Sequence, residues 1–305
     1  MRKLMASLAA AAMAVALPAA AKVPVVAADI APIASIAARV MQGVGTPGLI
    51  LPPGASPHGY ALRPSEARLL GEADIVVWVG PALTPWLADP IEALAPDAVR
   101  VTLQATPGVG TLAVRSGAAF EADSDEPAPP AGEAAIDGHL WLDPENAVAA
   151  ARAIAAALAA ADPEDAAAYT GNAEAFAHEM AAEQAAIAAR LAPLRGRPYL
   201  VFHDAYHYFE HRFDFPAAGS IVLQDGAAPG TARVAAIRAR VEDGGIVCAF
   251  AEPEFEPKLL RTVTEGTQVR TGVIDGLGAA LTPGPGLYPA LLAGVADSLA
   301  ACLGG

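Results

Sequence analysis

Short apolar runs alternate with longer stretches of helical spacing along most of this 305-residue chain. Residues 23–28 (VPVVAA) form an apolar run of strand length. APIASIAARVMQG then repeats its apolar positions every three to four residues and stops at Gly43, the pattern of a helix closed by glycine. The cycle recurs with TPGLILP as a second strand, and a loop GASPHGYAL leads to a helix starting near Arg63-Pro64-Ser65. DIVVWVG (74–80) is a third strand, TPWLADPIEALA a helix and AVRVTL a fourth strand.

Residues 116–138 break the rhythm. They carry Glu121, Asp123, Asp125, Glu126, Glu133 and Asp137 with no base, among proline, glycine and alanine, and read as a flexible surface loop. HLWLDPENAVAAARAIAAALAAADP follows, with Asp143 placed to cap a helix and Pro144 in its first turn. Residues 163–191 read as one long helix of about 43 Å at the usual rise, enough to run along two lobes.

The alternation then resumes. PYLVFH (198–203), GSIVL, IVCAFAEP and QVRTGVID (268–275) are strands, interleaved with the helices DAYHYFEHRF, TARVAAIRARVEDGG and EPKLLRTVTEG. LYPALLAGVADSLAACL is the last helix. Strands alternating with helices imply parallel sheets. The expected architecture is α/β: two similar lobes, each a parallel sheet flanked by helices, with a lobe at 22–160, a linking helix at 161–193 and a second lobe at 194–305.

Residues 1–21 stand outside this pattern. Arg2 and Lys3 precede an apolar run from Leu4 to Leu17 and the small residues Ala19-Ala20-Ala21. That is the form of a secretory signal peptide cleaved before Lys22, and the run is too short for a membrane span. The expected compartment is the periplasm. The formal charge of −14 becomes −16 when the two cations leave with this segment. A surface so acidic argues against nucleic acid or anionic membrane as a partner. The cysteines, Cys248 and Cys302, suggest a disulfide in an exported chain, with metal ligation or a free thiol pair as the alternatives.

Candidate chemistry lies at the strand ends, where open α/β sheets bind their ligands. His58 follows TPGLILP, His203 ends PYLVFH, Asp275 ends QVRTGVID, and His139 sits between the acidic loop and Asp143. Two belong to each half, so a site built from them falls in the cleft between lobes. Three imidazoles and one carboxylate suit four-coordinate Zn²⁺. Glu252, at another strand end, either supports a ligand or caps the next helix. Within VFHDAYHYFEHRF, His203, His207 and His211 recur every fourth residue. The strand ending at His203 separates it from the other two, with Asp204 expected to cap the helix, His211 to face solvent and His207 to lie near the cleft.

GASPHGYALRPSEARLLGEADIVVWVGP resembles the metal-binding signature of the cluster A-I solute-binding proteins of ABC importers. It is most similar to their zinc branch, the ZnuA type. HLWLDPENA, VFHDAYHYFE, CAFAEPEFEP and TGVIDGLG match the same family in the same order, over nearly the whole mature chain. The resemblance implies two α/β lobes bridged by a backbone helix and a metal in the cleft. It implies His58, His139 and His203 as ligands, and Asp275 at the family's acidic position, although in some zinc members water or another acid takes that place. It also implies a Cys248–Cys302 disulfide and a function in delivering Zn²⁺ to a membrane permease, with the binding protein a monomer and not an enzyme.

Manganese relatives carry glutamate where His203 stands, so the imidazole favours Zn²⁺ over the harder ion. Manganese or iron binding on the same fold is the alternative, an exported zinc hydrolase a more remote one, and a zinc chaperone is also compatible. Neither HExxH nor GxxxxGK[ST] occurs. The acidic loop lacks the histidines common before HLWL in zinc importers, and is expected to be dispensable for tight binding.

Overall fold

The computed structural model describes residues 22–115, 120, 135–222, 229–243 and 245–305. The leader and most of the acidic loop lie outside the described residues.

The first half contains β1 (Val26–Ala28), α1 (Ala31–Val40), β2 (Gly48–Leu49), α2 (Pro64–Gly71), β3 (Ile75–Trp78), α3 (Ala88–Leu94) and β4 (Val99–Thr102). Its strands form a parallel sheet in the order β2-β1-β3-β4. The second half contains β5 (Tyr199–His203), α6 (His207–Phe213), β6 (Gly219–Val222), α7 (Thr231–Glu242), β7 (Cys248–Ala251), α8 (Lys258–Thr264), β8 (Arg270–Val273) and α9 (Leu287–Gly304). Its strands are parallel in the order β6-β5-β7-β8, the same winding as the first sheet. Strands β3 and β5 are buried at every position, as strands covered on both faces must be, which is why they read as continuous apolar runs.

Between the sheets lie α4 (Pro144–Ala161) and α5 (Ala166–Leu191). The 26 residues of α5 span about 39 Å at the usual rise, and the helix packs against α4 and α1 on one side and α9 and α6 on the other. It begins three residues later than the pattern predicts. Asp162 ends α4 in an extended conformation, Pro163 cannot continue that helix, and Asp162 accepts a hydrogen bond from Tyr169 Oη at 2.9 Å, drawing the first turn of α5 back onto the end of α4.

One apolar cluster runs through both halves, from Val26, Ile33 and Val77 through Trp141, Tyr169 and Phe176 to Phe209, Tyr288 and Leu292. Smaller clusters cover the outer faces: Val76, Trp78 and Ile91 in the first half, Leu200, Ile221 and Ile237 in the second. Polar contacts reinforce the junction. Ser35 Oγ donates to Gly284 O at 2.7 Å and accepts from Tyr288 N at 2.9 Å. Asp143 accepts from Glu145 N at 2.9 Å, as a cap for α4, and takes both Nε and a terminal nitrogen of Arg212 at 2.8 Å. This forked pairing of a guanidinium with a carboxylate is the stronger kind of ion pair.

Asp204 does not cap α6. The helix begins at His207 after Tyr206 with no side-chain cap, and Asp204 instead takes Arg115, which also donates to Glu210 at 2.6 Å. The Arg115 guanidinium offsets the repulsion between these two buried carboxylates, an arrangement local helix signals could not reveal. Cys248 and Cys302 form the disulfide, with Cα atoms 6.2 Å apart, tying β7 to the end of α9.

Candidate metal site

Two connecting segments and a strand end deliver the histidines. His58 lies in the loop between β2 and α2, held where Trp86 Nε1 donates to Pro57 O at 2.7 Å and where Tyr60 packs on the Trp86 ring. Tyr60 in turn donates to Glu66 Oε1 at 2.8 Å, while Glu66 Oε2 accepts Arg63 N at 2.7 Å, so the first turn of α2 fixes the loop's far end. His139 precedes the short turn Leu140–Leu142 that enters α4. Gly138 lets the chain through at this point, since a Cβ there would stand 2.8 Å from Ala82 O. His203 is the last residue of β5.

Their Nε2 atoms converge. His139 Nε2 lies 3.3 Å from His58 Nε2 and 3.3 Å from His203 Nε2, and the three donor atoms fall within 4.8 Å of one another. A carboxylate stands behind each of the two buried rings. Asp137 Oδ1 accepts from His139 Nδ1 at 2.7 Å and from His139 N at 2.9 Å. Glu252 Oε1 accepts from His203 Nδ1 at 2.8 Å and from His203 N at 3.2 Å. β7 neighbours β5, so Glu252 stands just beyond the strand end beside His203. A carboxylate can only accept, so Nδ1 of each ring carries the proton and Nε2 presents its lone pair.

Two lone pairs facing across 3.3 Å repel unless a cation lies between them. In a tetrahedral zinc site with Zn–N bonds of 2.0–2.1 Å, neighbouring nitrogens stand about 3.3 Å apart. Two of the three nitrogen separations therefore already match the edge of such a tetrahedron. Burial, with the neighbouring His139 and His203, lowers the His58 imidazole from its ordinary value to about 3, so it is neutral and ready to bind at any physiological pH. Burial works against ionisation of Asp137, but its pairing with His139 prevails and holds the carboxyl well below the usual range.

The enclosing cavity has a volume of about 20 Å³, room for one ion or water and not for an organic ligand. Its walls include Trp141, Phe255 and Leu277. Trp141 closes the cleft from the first half to the second by donating from Nε1 to Gly276 O at 2.8 Å.

Asp275 is not brought into this group. Its Oδ1 accepts from Leu277 N at 3.1 Å and Gly278 N at 2.6 Å, and Oδ2 accepts from Ala280 N at 3.3 Å. It shapes the turn that places Gly276 and Leu277 against the cavity. His207 is half-buried on α6, with Nδ1 3.7 Å from Asp137 Oδ2, behind His139 rather than in the triad. His211 and His178 are exposed. Asp137 is the functional residue that sequence reasoning missed as such. It closes the run of loop acids, although its spacing, two residues before a histidine, is a signal for a carboxylate that orients a ligand.

Changing Asp137 to Asn removes the anionic acceptor while leaving the size nearly unchanged. Metal affinity is expected to fall by roughly 10- to 100-fold, the usual cost of losing such a carboxylate. Competition against a chromophoric chelator measures it, and an unchanged affinity would show that Asp137 does not support His139.

Two lobes wound alike, a helix along both and a buried imidazole triad between them define a cleft-type metal-binding protein. Residues 26–302 match the family model for ZnuA, the zinc-uptake complex component A, periplasmic. The high-affinity zinc uptake system protein ZnuA of Brucella abortus is 41% identical over 90% of this chain and 90% of its own length. The protein of the same name from Paracoccus denitrificans is 38% identical over 95% of this chain and 94% of its own. A crystal structure of ZnuA superposes with a TM-score of 0.77 at 20% identity, covering 92% of this chain and all of that one. The chain belongs to the ZnuA family of solute-binding proteins.

Proposed function

We propose that this protein captures Zn²⁺ in the periplasm through Nε2 of His58, His139 and His203 and presents the ion to the membrane permease of an ABC importer. One observation carries the reading: His139 Nε2 already stands 3.3 Å from Nε2 of both His58 and His203, the nitrogen spacing of a tetrahedral zinc site. Family membership and the names of the relatives support it. The mature chain would start at Lys22 after cleavage of residues 1–21 and act as a monomer without turning over a substrate.

The chain's own groups set the terms of capture. Glu252 and Asp137 hold His203 and His139 in the tautomer that offers Nε2, so the ion meets prepared donors. Two anions behind the rings supply negative charge that the neutral imidazoles lack. A donor set dominated by nitrogen favours Zn²⁺ over Mn²⁺, which prefers oxygen. The purified mature protein is expected to bind Zn²⁺ at least about 1,000-fold more tightly than Mn²⁺ in direct competition. A preference for Mn²⁺ would sink the zinc reading.

A further inference from the structure

The triad supplies three neutral donors, and tetrahedral zinc takes four. The carboxylates at or beside the cavity differ in how far they are already engaged. Glu252 Oε1 accepts twice from His203, at 2.8 and 3.2 Å. Asp137 faces His139 from behind at 2.7 Å. Both oxygens of Asp275 accept backbone N–H groups of its own turn, the shortest at 2.6 Å, and recruiting it to an ion would break that turn.

Glu254 is different. It lines the same cavity as the three histidines, and its Oε1 is shut off from solvent with no hydrogen-bond partner. A buried acceptor left unsatisfied forfeits its hydration with nothing in return, so the position calls for a ligand that restores the loss. Its backbone belongs to the turn after β7 rather than to a strand, so the side chain can swing without disturbing the sheet.

We propose that Glu254 supplies the fourth donor, its carboxylate turning onto the captured ion to close the site formed by His58, His139 and His203. The sequence Glu252-Pro253-Glu254 then divides two tasks across one proline: the first acid orients His203 and the second binds the ion. Direct anionic ligation neutralises part of the ion's charge in a site with room for no more than about one water. The proposal rests on the zinc reading above.

The test uses the full mature protein with Zn²⁺, and with Co²⁺ as the spectroscopic probe. Glu254→Gln is expected to bind Zn²⁺ at least about tenfold more weakly, and to shift the visible bands of the Co²⁺-loaded protein, since one oxygen donor is lost. A crystal structure of the zinc-loaded wild type is expected to show a Glu254 oxygen about 2.0–2.2 Å from the ion. That structure decides the matter even if Glu254→Gln fails to fold. Zinc affinity within twofold of wild type and an unchanged Co²⁺ spectrum would overturn the proposal, as would Asp275 or water in the fourth position. His203→Ala, measured alongside, separates the two readings. If it loses zinc and Glu254→Gln does not, only the assignment of Glu254 falls. If neither loses zinc, the triad itself is misassigned and the proposal falls with it.

Discussion

Replacing His203 with alanine is expected to weaken zinc binding by on the order of 1,000-fold, about 4 kcal/mol. The loss has two sources. One vertex of the tetrahedron disappears, leaving His58 and His139, and the 3.3 Å edge between His139 and His203 goes with it. In addition, Glu252 keeps its burial at 4% exposure but loses the ring N–H that donates to it at 2.8 Å, while the backbone N–H of residue 203 stays in reach at 3.2 Å. An anion stranded in that way favours rearrangement of the strand end that carried the ligand. The effect should therefore exceed that of Asp137→Asn, which leaves all three nitrogens in place. Competition titrations of both variants decide the order. A smaller loss for His203→Ala than for Asp137→Asn would show that His203 is not a ligand.

Loss of the Cys248–Cys302 bond is the second large expected effect, on stability rather than on binding. The two residues are 54 apart in sequence, and closing a loop of that size stabilises a fold by about 4 kcal/mol in the chain-entropy model. For a chain of this length that corresponds to a fall in melting temperature on the order of 10 °C. The bond joins the first residue of β7 to the last turns of α9, whereas Glu252 and Glu254 follow the opposite end of β7. A Cys248→Ser/Cys302→Ser double variant should thus melt early yet bind zinc with little change. Thermal unfolding with and without reductant, paired with a zinc titration, measures both. A large fall in zinc affinity at full folding would implicate the thiols in metal ligation instead.

The alternation of β and α elements was legible because each parallel strand, covered on both faces, must be apolar throughout, as β3 and β5 are. Their spatial order was not legible. Nothing in the local pattern of Val26–Ala28 tells that it lies between β2 and β3. The histidines could be singled out because strand ends and motif matches marked them. Their carboxylate partners were harder. Glu252 is 49 residues from His203, and only the pairing of β5 with β7 brings them together. Asp137 is two residues from His139, but its place at the end of an acidic stretch hid it among its neighbours. Asp204 shows the converse: a residue in good position to cap a helix was taken by Arg115, 89 positions away. Local signals fail where a distant charge offers a better partner.

The continuous apolar core and the 26-residue α5 have a kinetic consequence. A receptor whose halves share one core and one spine cannot swing open like a jaw around its cargo, because any such rotation would tear packed side chains from α1, α5 and α9 together. Loading is left to the rotation of a few side chains and the shedding of water by the ion, events that need no large barrier. Unloading has no built-in spring either. A tetrahedron assembled from four separate segments gives up its ion only when one of those segments is drawn aside, and the force for that must come from whatever docks at the mouth of the cleft.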